Sequence, residues 1–421
     1  MSRNKRWRER IKSLIILLLT VSAVFLAWRT GLFQRLMPER ATPEEPEPTP
    51  GVSSYQAAAE PHCAAVTGFP GLICGVCYDD DGIDEVIREF RSVMGETLGS
   101  ASVPVPVERS VWQEALLGPG LFLEYSAPVS LNVLACWMGT SADFPADLRA
   151  DRLLFALPEK ERVDFYYLDE RGNAFFCETL ALGSALYEGI NRFLPNGADF
   201  AVQNDALAAC DPYALILRDL PALHAVTATD EGENTAVQTA ADLFGLKLNA
   251  AGSFQEQEDT VYLGETGRLR LEANGGLRYL AAEGQSLGTA ETEEDQIELC
   301  RSLLARLSAA AGGAGKLQLT DVRIEADRRT YCFDYRVDGV LVKLASGNAG
   351  WAVFREGRLE EIGFRPRTYS LTANAVDRIP PLQAAAASGS IQRGSAPELV
   401  ISDPGGEVLL EPMWTLRERS S

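Results

Sequence analysis

The feature that most constrains this chain is an uncharged apolar run near its amino terminus, residues 13–28 (SLIILLLTVSAVFLAW). As a helix, sixteen residues span about 24 Å, less than the roughly 30 Å hydrocarbon core of a bilayer. Lys12 and Arg29 can extend toward the headgroups, and Gly31–Phe33 adds apolar length. We therefore predict a transmembrane signal anchor over residues 13–33. The alternative is a cleaved signal peptide, but no small-x-small cleavage site follows the run directly.

The charges around this run predict its orientation. Six basic residues precede it within residues 1–12, and three follow it within twelve residues. Because basic flanks stay in the cytoplasm, residues 1–12 should be cytoplasmic and everything after about residue 35 should lie outside. The expected location is therefore the cell membrane, crossed once. Residues 34–61 contain six prolines and almost no large apolar side chain, which predicts an extended spacer that lifts a folded body off the membrane.

Composition limits the chemistry of the body. The net charge is −20, and the acidic excess lies entirely beyond the basic amino terminus. An acidic surface disfavours sequence-independent nucleic-acid binding. Two histidines, His62 and His224, rule out a multi-histidine metal site and leave little for Ser-His or Cys-His catalysis. We predict no catalytic, metal or cofactor site.

The body divides into two predicted regions, both α+β. Residues 62–250 mix short strands and helices in one or two subdomains. A buried strand over 71–79 precedes a helix that Asp81 can cap, and a hairpin turns at Asp169–Asn173. Residues 251–421 begin with a three-stranded meander whose turns are Gly-Glu-Thr-Gly and Asn-Gly-Gly, followed by a helix over Thr292–Ala311. Further antiparallel strands follow, and the segment ELVISDPGGEVLLEPMWTL should form a hairpin of two strands around Asp403–Gly406. The expected fold is two or more extracytoplasmic domains of antiparallel sheets with helices on their faces.

This layout resembles the YycH/YycI family, the membrane-anchored accessory regulators of the WalK cell-wall histidine kinase in Gram-positive bacteria. The resembling segments are the basic start with its single span, DTVYLGETGRLRLEANGGLRY, RTYCFDYRVDGVLVKLASGNAGWAVFREGRLEEI and the closing ELVISDPGGEVLLEPMWTL. They cover about the first 35 residues and most of 258–417, whereas 80–250 matches by general layout. The long Pro/Glu linker and the eight cysteines depart from the family. The resemblance implies extracytoplasmic α+β domains with sheets like those of the sporulation protein BofC, no catalysis, and contact with a sensor kinase and with a sibling protein of the family.

Three short motifs look like chemical sites and are better explained by structure. Cys74 and Cys77 form a CxxC, but on a strand their side chains face opposite sides, so we interpret them as buried structural thiols; a disulfide and redox chemistry are the alternatives. The run Asp79–Gly82 resembles a calcium loop but lacks oxygen ligands at its ends, which favours a helix cap. The run 312–316 (GGAGK) lacks the Ser/Thr of a P-loop and is predicted to end a helix.

Two further features have structural interpretations. The acidic run Glu291–Asp295 should complement a helix dipole, although paired carboxylates of a glycosidase come from separate segments and spacing alone does not test them. His224 is predicted to be a packed loop histidine. The remaining cysteines are scattered, and we assign no pairs from sequence.

Three functions fit these observations. The first is a regulatory interaction protein whose external body modulates a sensor histidine kinase controlling cell-wall metabolism. The alternatives are an extracytoplasmic ligand-binding module and a cell-envelope enzyme. If the chain acts on a kinase in the membrane, the small residues Thr20, Ala23 and Ala27 share one helix face and would form the contact.

Overall fold

The computed structural model describes residues 58–159, 161–248 and 252–417. The described residues belong to one compact unit, which runs from Gln56 to Ser421. The predicted anchor over 13–33 and its face of Thr20, Ala23 and Ala27 lie outside the described residues, as do residues 249–251, where we placed a domain boundary. Within the described ranges, no helix has the length and apolarity needed to cross a bilayer.

A seven-stranded antiparallel sheet forms the first part of the body, in the spatial order β2-β1-β4-β5-β6-β7-β3. Its strands are β1 (Cys63–Thr67), β2 (Ile73–Cys77), β3 (Val105–Val107), β4 (Gly120–Ser130), β5 (Arg149–Glu159), β6 (Arg162–Asp169) and β7 (Ala174–Cys177). Successive residues alternate between two hydrophobic clusters: Leu153 and Phe155 lie in one, Leu154 and Ala156 in the other. Both faces of this sheet are therefore covered, which explains its nearly continuous apolar strands.

Helices and a small sheet supply the two covers. One face carries α1 (Asp80–Ser100), α3 (Leu131–Trp137) and α4 (Gly183–Ile190), which pack on each other or on the strands. The other face carries α2 (Arg109–Leu117) and a two-stranded sheet of β8 (Ala198–Phe200) and β9 (Leu215–Leu217), with two short 3-10 helices at Ala201–Gln203 and Asp205–Leu207. The predicted cap of α1 was wrong by two residues. Asp79, not Asp81, caps the helix, and its carboxylate accepts a hydrogen bond from Gly82 N at 2.9 Å.

An eleven-stranded sheet forms the second part, and it contains the predicted meander. Its strands are β11 (Ser253–Glu256), β12 (Asp259–Leu263), β13 (Gly267–Leu271), β14 (Leu277–Ala281), β15 (Lys316–Ile324), β16 (Arg328–Val337), β17 (Val340–Leu344), β18 (Gly350–Arg355), β19 (Arg358–Phe364), β21 (Ala396–Asp403) and β23 (Met413–Arg417). The helix α6 (Glu293–Ala311) packs on this sheet through Ile297, Cys300, Leu304 and Leu307. Hydrophobic periodicity predicts this face with Leu303 added, and Leu303 is partly buried against the same core. A shorter helix, α7 (Pro381–Ile391), packs against β21.

A three-stranded sheet joins residues from both predicted regions. The strand β10 (His224–Thr229) lies between β20 (Thr368–Ala375) and β22 (Val408–Leu410), and α5 (Glu233–Leu243) follows it in the chain and packs against α6. The strand β10 was not predicted, and the predicted loop position of His224 was wrong, because this residue begins β10.

The predicted pairing around Asp403–Gly406 was also wrong. Strand β21 pairs in parallel with β17 and antiparallel with β23, whereas β22 leaves to pair with β10. Gly405 and Gly406 both have positive φ and redirect the chain between β21 and β22. The fold is thus α+β with mostly antiparallel sheets, as predicted, and β17–β21 is a parallel exception.

The start of the described chain is anchored to the second sheet. Ala58 and Ala59 are buried, Leu319 N donates to Ala58 O at 3.0 Å, and Glu60 N donates to the side chain of Gln318 at 2.9 Å. We had placed these residues in the spacer 34–61, and the structure packs residues 58–61 against the body. The main chain that enters the body is therefore held before the first strand begins.

Candidate functional site

The CxxC pair and the glycine-rich run 312–316 serve the packing and the turns of the fold. Cys74 and Cys77 lie on β2, their side chains belong to different hydrophobic clusters, and their thiols are free. Gly312 ends α6 with a φ of 77°, and the strand β15 follows it, whereas a P-loop would open a helix. Among the residues that the structure describes, no group of three or more His, Cys, Asp or Glu side chains could hold a metal ion.

The acidic helix start does more than complement a dipole. Thr292 caps α6 by accepting a hydrogen bond from Asp295 N at 3.1 Å. Glu293 forms an ion pair with Arg149 on β5, and Glu294 accepts a hydrogen bond from the Cys136 thiol at 2.9 Å. Burial and the Glu294 contact raise the pKa of Cys136 to about 12. These side chains tie α6 to the first part of the body.

The two histidines occupy different environments. His224, at the start of β10, lies 3.3 Å from the Asp338 carboxylate in the β16–β17 turn. His62 precedes β1 and is nearly buried, and its Nε2 contacts Arg417 Nη1 and lies 3.6 Å from the Glu124 carboxylate. Its other ring nitrogen, Nδ1, is buried without a hydrogen-bond partner in the described part of the chain.

His62 belongs to a buried ionic group, which we call the Glu124 cluster: Glu124, Arg152, Asp211, Arg417 and His62. Cross-strand register creates its centre, because Glu124 on β4 lies directly opposite Arg152 on β5. Arg152 Nε donates to Glu124 at 2.7 Å, and its Nη1 and Nη2 donate to Asp211 at 3.1 and 2.5 Å. Arg417, on the last strand, donates to Glu124 at 2.7 Å. Two carboxylates thus balance two guanidinium groups.

Burial decides the electrostatics of the Glu124 cluster. Arg152 is 1% exposed, Glu124 4% and Asp211 5%. Burial by itself would raise the pKa of Glu124, but the charges of Arg152 and Arg417 overcome this effect and hold that pKa well below its ordinary value. Burial would raise the pKa of Asp211 as well, but the charge of Arg152 outweighs the effect of burial, and the pKa of Asp211 is lowered. Burial and the nearby Arg417 charge lower the pKa of His62.

A second group, the Arg367 cluster, comprises Arg367, Asp403, Asp230 and Tyr369. Arg367 Nε and Nη2 donate to Asp403 at 2.8 and 2.9 Å, and Nη1 forms an ion pair with Asp230 just before α5. The Tyr369 hydroxyl donates to Asp403 at 2.8 Å. A cleft of about 100 Å³ lies beside the cluster, bordered by the Pro404–Gly406 turn. The cluster therefore holds β20, β21 and the start of α5 together.

What these clusters can do follows from their pairing. Covalent catalysis needs a nucleophile next to a free base. The carboxylates of these clusters are instead paired with guanidinium groups. A buried pair of this kind holds distant segments in one arrangement, because separating it leaves a charge buried and uncompensated. The Glu124 cluster joins His62, directly before β1, to Arg417 on β23.

Sequence reasoning missed both clusters. Glu124 and Arg152 stand in the apolar runs GLFLEYSA and ADRLLFAL, and a charged residue inside such a run was the signal that could have found them. No comparable signal marks Asp211 or Arg417, whose partners are remote in sequence.

Comparison with known proteins gives one informative result. A crystal structure of YycH from Bacillus subtilis is similar to this chain, with a TM-score of 0.50 and 11% sequence identity. The match covers 86% of this chain and 97% of that one. The protein has a YycH-like fold. No protein-family model and no curated protein matches the sequence. At this identity the likeness establishes the fold, and the YycH-like fold agrees with the family resemblance seen in the sequence.

Proposed function

We propose that this protein is a membrane-anchored regulator whose body lies outside the cytoplasm and modulates a sensor histidine kinase of a two-component system that controls cell-wall metabolism. The observation that carries the proposal is the YycH-like fold over 86% of the chain. The sequence resemblance to the YycH/YycI regulators supports it independently, because it includes the basic start and the single apolar span. We assign the protein no catalytic activity.

The interior of the body suits such a role. The Glu124 cluster holds His62 and the start of β1 against β23, so the body would meet a partner as one preorganised surface. The proposed partners are the kinase and a sibling protein of the same family. Within the bilayer, Thr20, Ala23 and Ala27 would permit close packing of helices, which is what association in lipid requires.

The topology is tested by fusing alkaline phosphatase to the chain, since this enzyme is active only outside the cytoplasm. A fusion after Ser421 should be active, and a matched fusion after Lys12 should be inactive. An inactive Ser421 fusion in a strain that expresses it well would reverse the proposed orientation.

The partner is tested with the full chain and the kinase of its own organism, copurified in detergent, with the response-regulator output measured in cells. Deleting the gene should change that output, and an unchanged output together with no copurification would refute the regulatory role. Ala23→Leu and Ala27→Leu should weaken copurification, whereas Val21→Leu, a matched change on another face, should not. If both alanine variants behave as wild type while removal of residues 61–421 abolishes association, the contact lies in the outer body.

A further inference from the structure

The cysteine that faces Cys77 is Cys63, which the CxxC spacing does not reveal. In the antiparallel pairing of β1 with β2, Cys63 lies directly opposite Cys77, whereas Cys74 lies opposite Val66. Cys63 is 3% exposed and Cys77 is 6% exposed, and both belong to the same hydrophobic cluster. Burial and a hydrogen bond between the two thiols raise the pKa of Cys63 well above its ordinary value.

This register brings the two thiols close to disulfide geometry. Directly opposed residues of an antiparallel pair have Cβ atoms about 4.5–5.5 Å apart, and a disulfide needs about 3.5–4.5 Å. An approach of about 1 Å would close the bond. Because that approach strains the two strands, the bond should be easier to reduce than a relaxed structural disulfide.

The position of β2 offers a route for an oxidant. The strand is at the edge of the seven-stranded sheet, and Asn196 bonds to its outer side: the side chain bonds to Gly75 N at 2.9 Å and to Gly75 O at 2.6 Å, and the backbone N donates to Ile73 O at 3.3 Å. A strand that is paired with another strand on one side only opens locally at less cost than an interior strand. Such opening would expose Cys77 without unfolding the body.

We propose that Cys63 and Cys77 form a redox-sensitive pair that closes into a cross-strand disulfide on reaction with a small-molecule disulfide. One cysteine, as its thiolate, attacks the small-molecule disulfide and releases one thiol. The other cysteine then attacks the resulting mixed disulfide and releases the second thiol. The two cysteines together lose two protons and two electrons, and the oxidant gains both as two thiols. A dithiol reductant reverses the reaction.

The pair lies where the state of the bond would matter to the body. Cys63 follows His62 directly and lies opposite Glu124 on β4, so the bond would tie the edge strand to the strand beside the Glu124 cluster. The closed form should therefore resist opening of β2 and melt at a higher temperature than the reduced form.

The test uses the full chain, purified reduced in detergent and then incubated with oxidised glutathione below its unfolding temperature. Peptide mapping by mass spectrometry without reduction should find a Cys63–Cys77 link. Titration after denaturation should find two of the eight thiols lost, and dithiothreitol should restore them. Circular dichroism should show a higher melting temperature for the oxidised protein.

Two variants make the result specific. Cys74→Ser should leave the oxidation unchanged, because Cys74 faces the other side of the strand, and Cys63→Ser should abolish it. The proposal is overturned if both cysteines remain thiols, if the link joins Cys74 to Cys77, or if oxidation requires unfolded protein. Circular dichroism of each reduced variant shows whether that variant is folded. If Cys63→Ser is unfolded, Cys77→Ala replaces it, with the same expected loss of the link.

Discussion

Arg152 should be among the most costly side chains to truncate in this body. It donates three charge-assisted hydrogen bonds, one to Glu124 and two to Asp211, and is 1% exposed. The change Arg152→Met keeps an apolar side chain and removes the charge. Glu124 would still have Arg417, but Asp211 would lose its cation while remaining buried. Breaking a buried pair from one side costs about 3–5 kcal/mol.

The magnitude can be measured on the full chain in detergent by urea and thermal unfolding. Trp112 is a useful fluorescence probe because it is fully buried and its ring contacts Tyr213, two residues from Asp211, at 5.9 Å between centroids. With about 2 °C per kcal/mol for a body of this size, the melting temperature should fall by about 6–10 °C. The double change Arg152→Met with Asp211→Asn removes the orphaned charge and should recover about 1–3 kcal/mol.

An exposed ion pair provides the matched control. Arg218 donates twice to Asp199, at 3.2 and 3.1 Å, but its side chain is 66% exposed. Arg218→Met should therefore cost about 0–1 kcal/mol. If Arg152→Met costs no more than Arg218→Met, or if the double change is as unstable as the single one, the argument from buried, uncompensated charge is wrong.

Two further predictions concern pH and a close backbone contact. The folded-state pKa of His62 is lowered below 6.5, so the unfolded chain binds a proton that the folded chain does not. This contribution to stability is therefore complete above pH 6.5 and is lost as the pH falls below that value. His62→Gln should flatten the pH dependence of the melting temperature between pH 5 and 7, and the idea fails if His224→Gln flattens it equally. A Cβ on Gly339 would lie 2.6 Å from backbone atoms of Tyr78 and Asp79, whereas one on Gly284 meets nothing within 4 Å, and both glycines have positive φ. Gly339→Ala should therefore cost about 1–3 kcal/mol more than Gly284→Ala in urea unfolding, and equal costs would show that the turn can move away.

Local sequence signals predicted the local structure well. The three-stranded meander, the hairpin at Asp169–Asn173 and the buried face of α6 follow from turn residues and hydrophobic periodicity. The cap of α1 was missed by two residues because three consecutive aspartates offer equivalent oxygens, and the sequence does not show which carboxylate reaches Gly82 N.

Long-range pairing was where prediction failed. The hairpin expected around Asp403–Gly406 was reasonable from its Pro-Gly-Gly turn, but β22 pairs with β10, whose paired residues lie 180 or more positions earlier in the chain. Nothing in the run HAVTAT distinguishes a strand that fills a gap between two others from a loop. Similarly, the CxxC spacing drew attention to Cys74, although the register between two strands makes Cys63 the neighbour of Cys77.

The sequence by itself therefore determined what depends on neighbouring residues: the α+β content, the turns, the helix faces and the expectation of a single apolar anchor. Only the tertiary structure decided which charges meet, because Arg417 and Glu124 are separated by 293 positions and Arg152 and Asp211 by 59. The physical reason is that residues so far apart in sequence do not form an ion pair or a thiol pair in the extended chain, where the pair contributes little interaction energy. Its energy arises from burial and register, which exist only after the sheets have assembled.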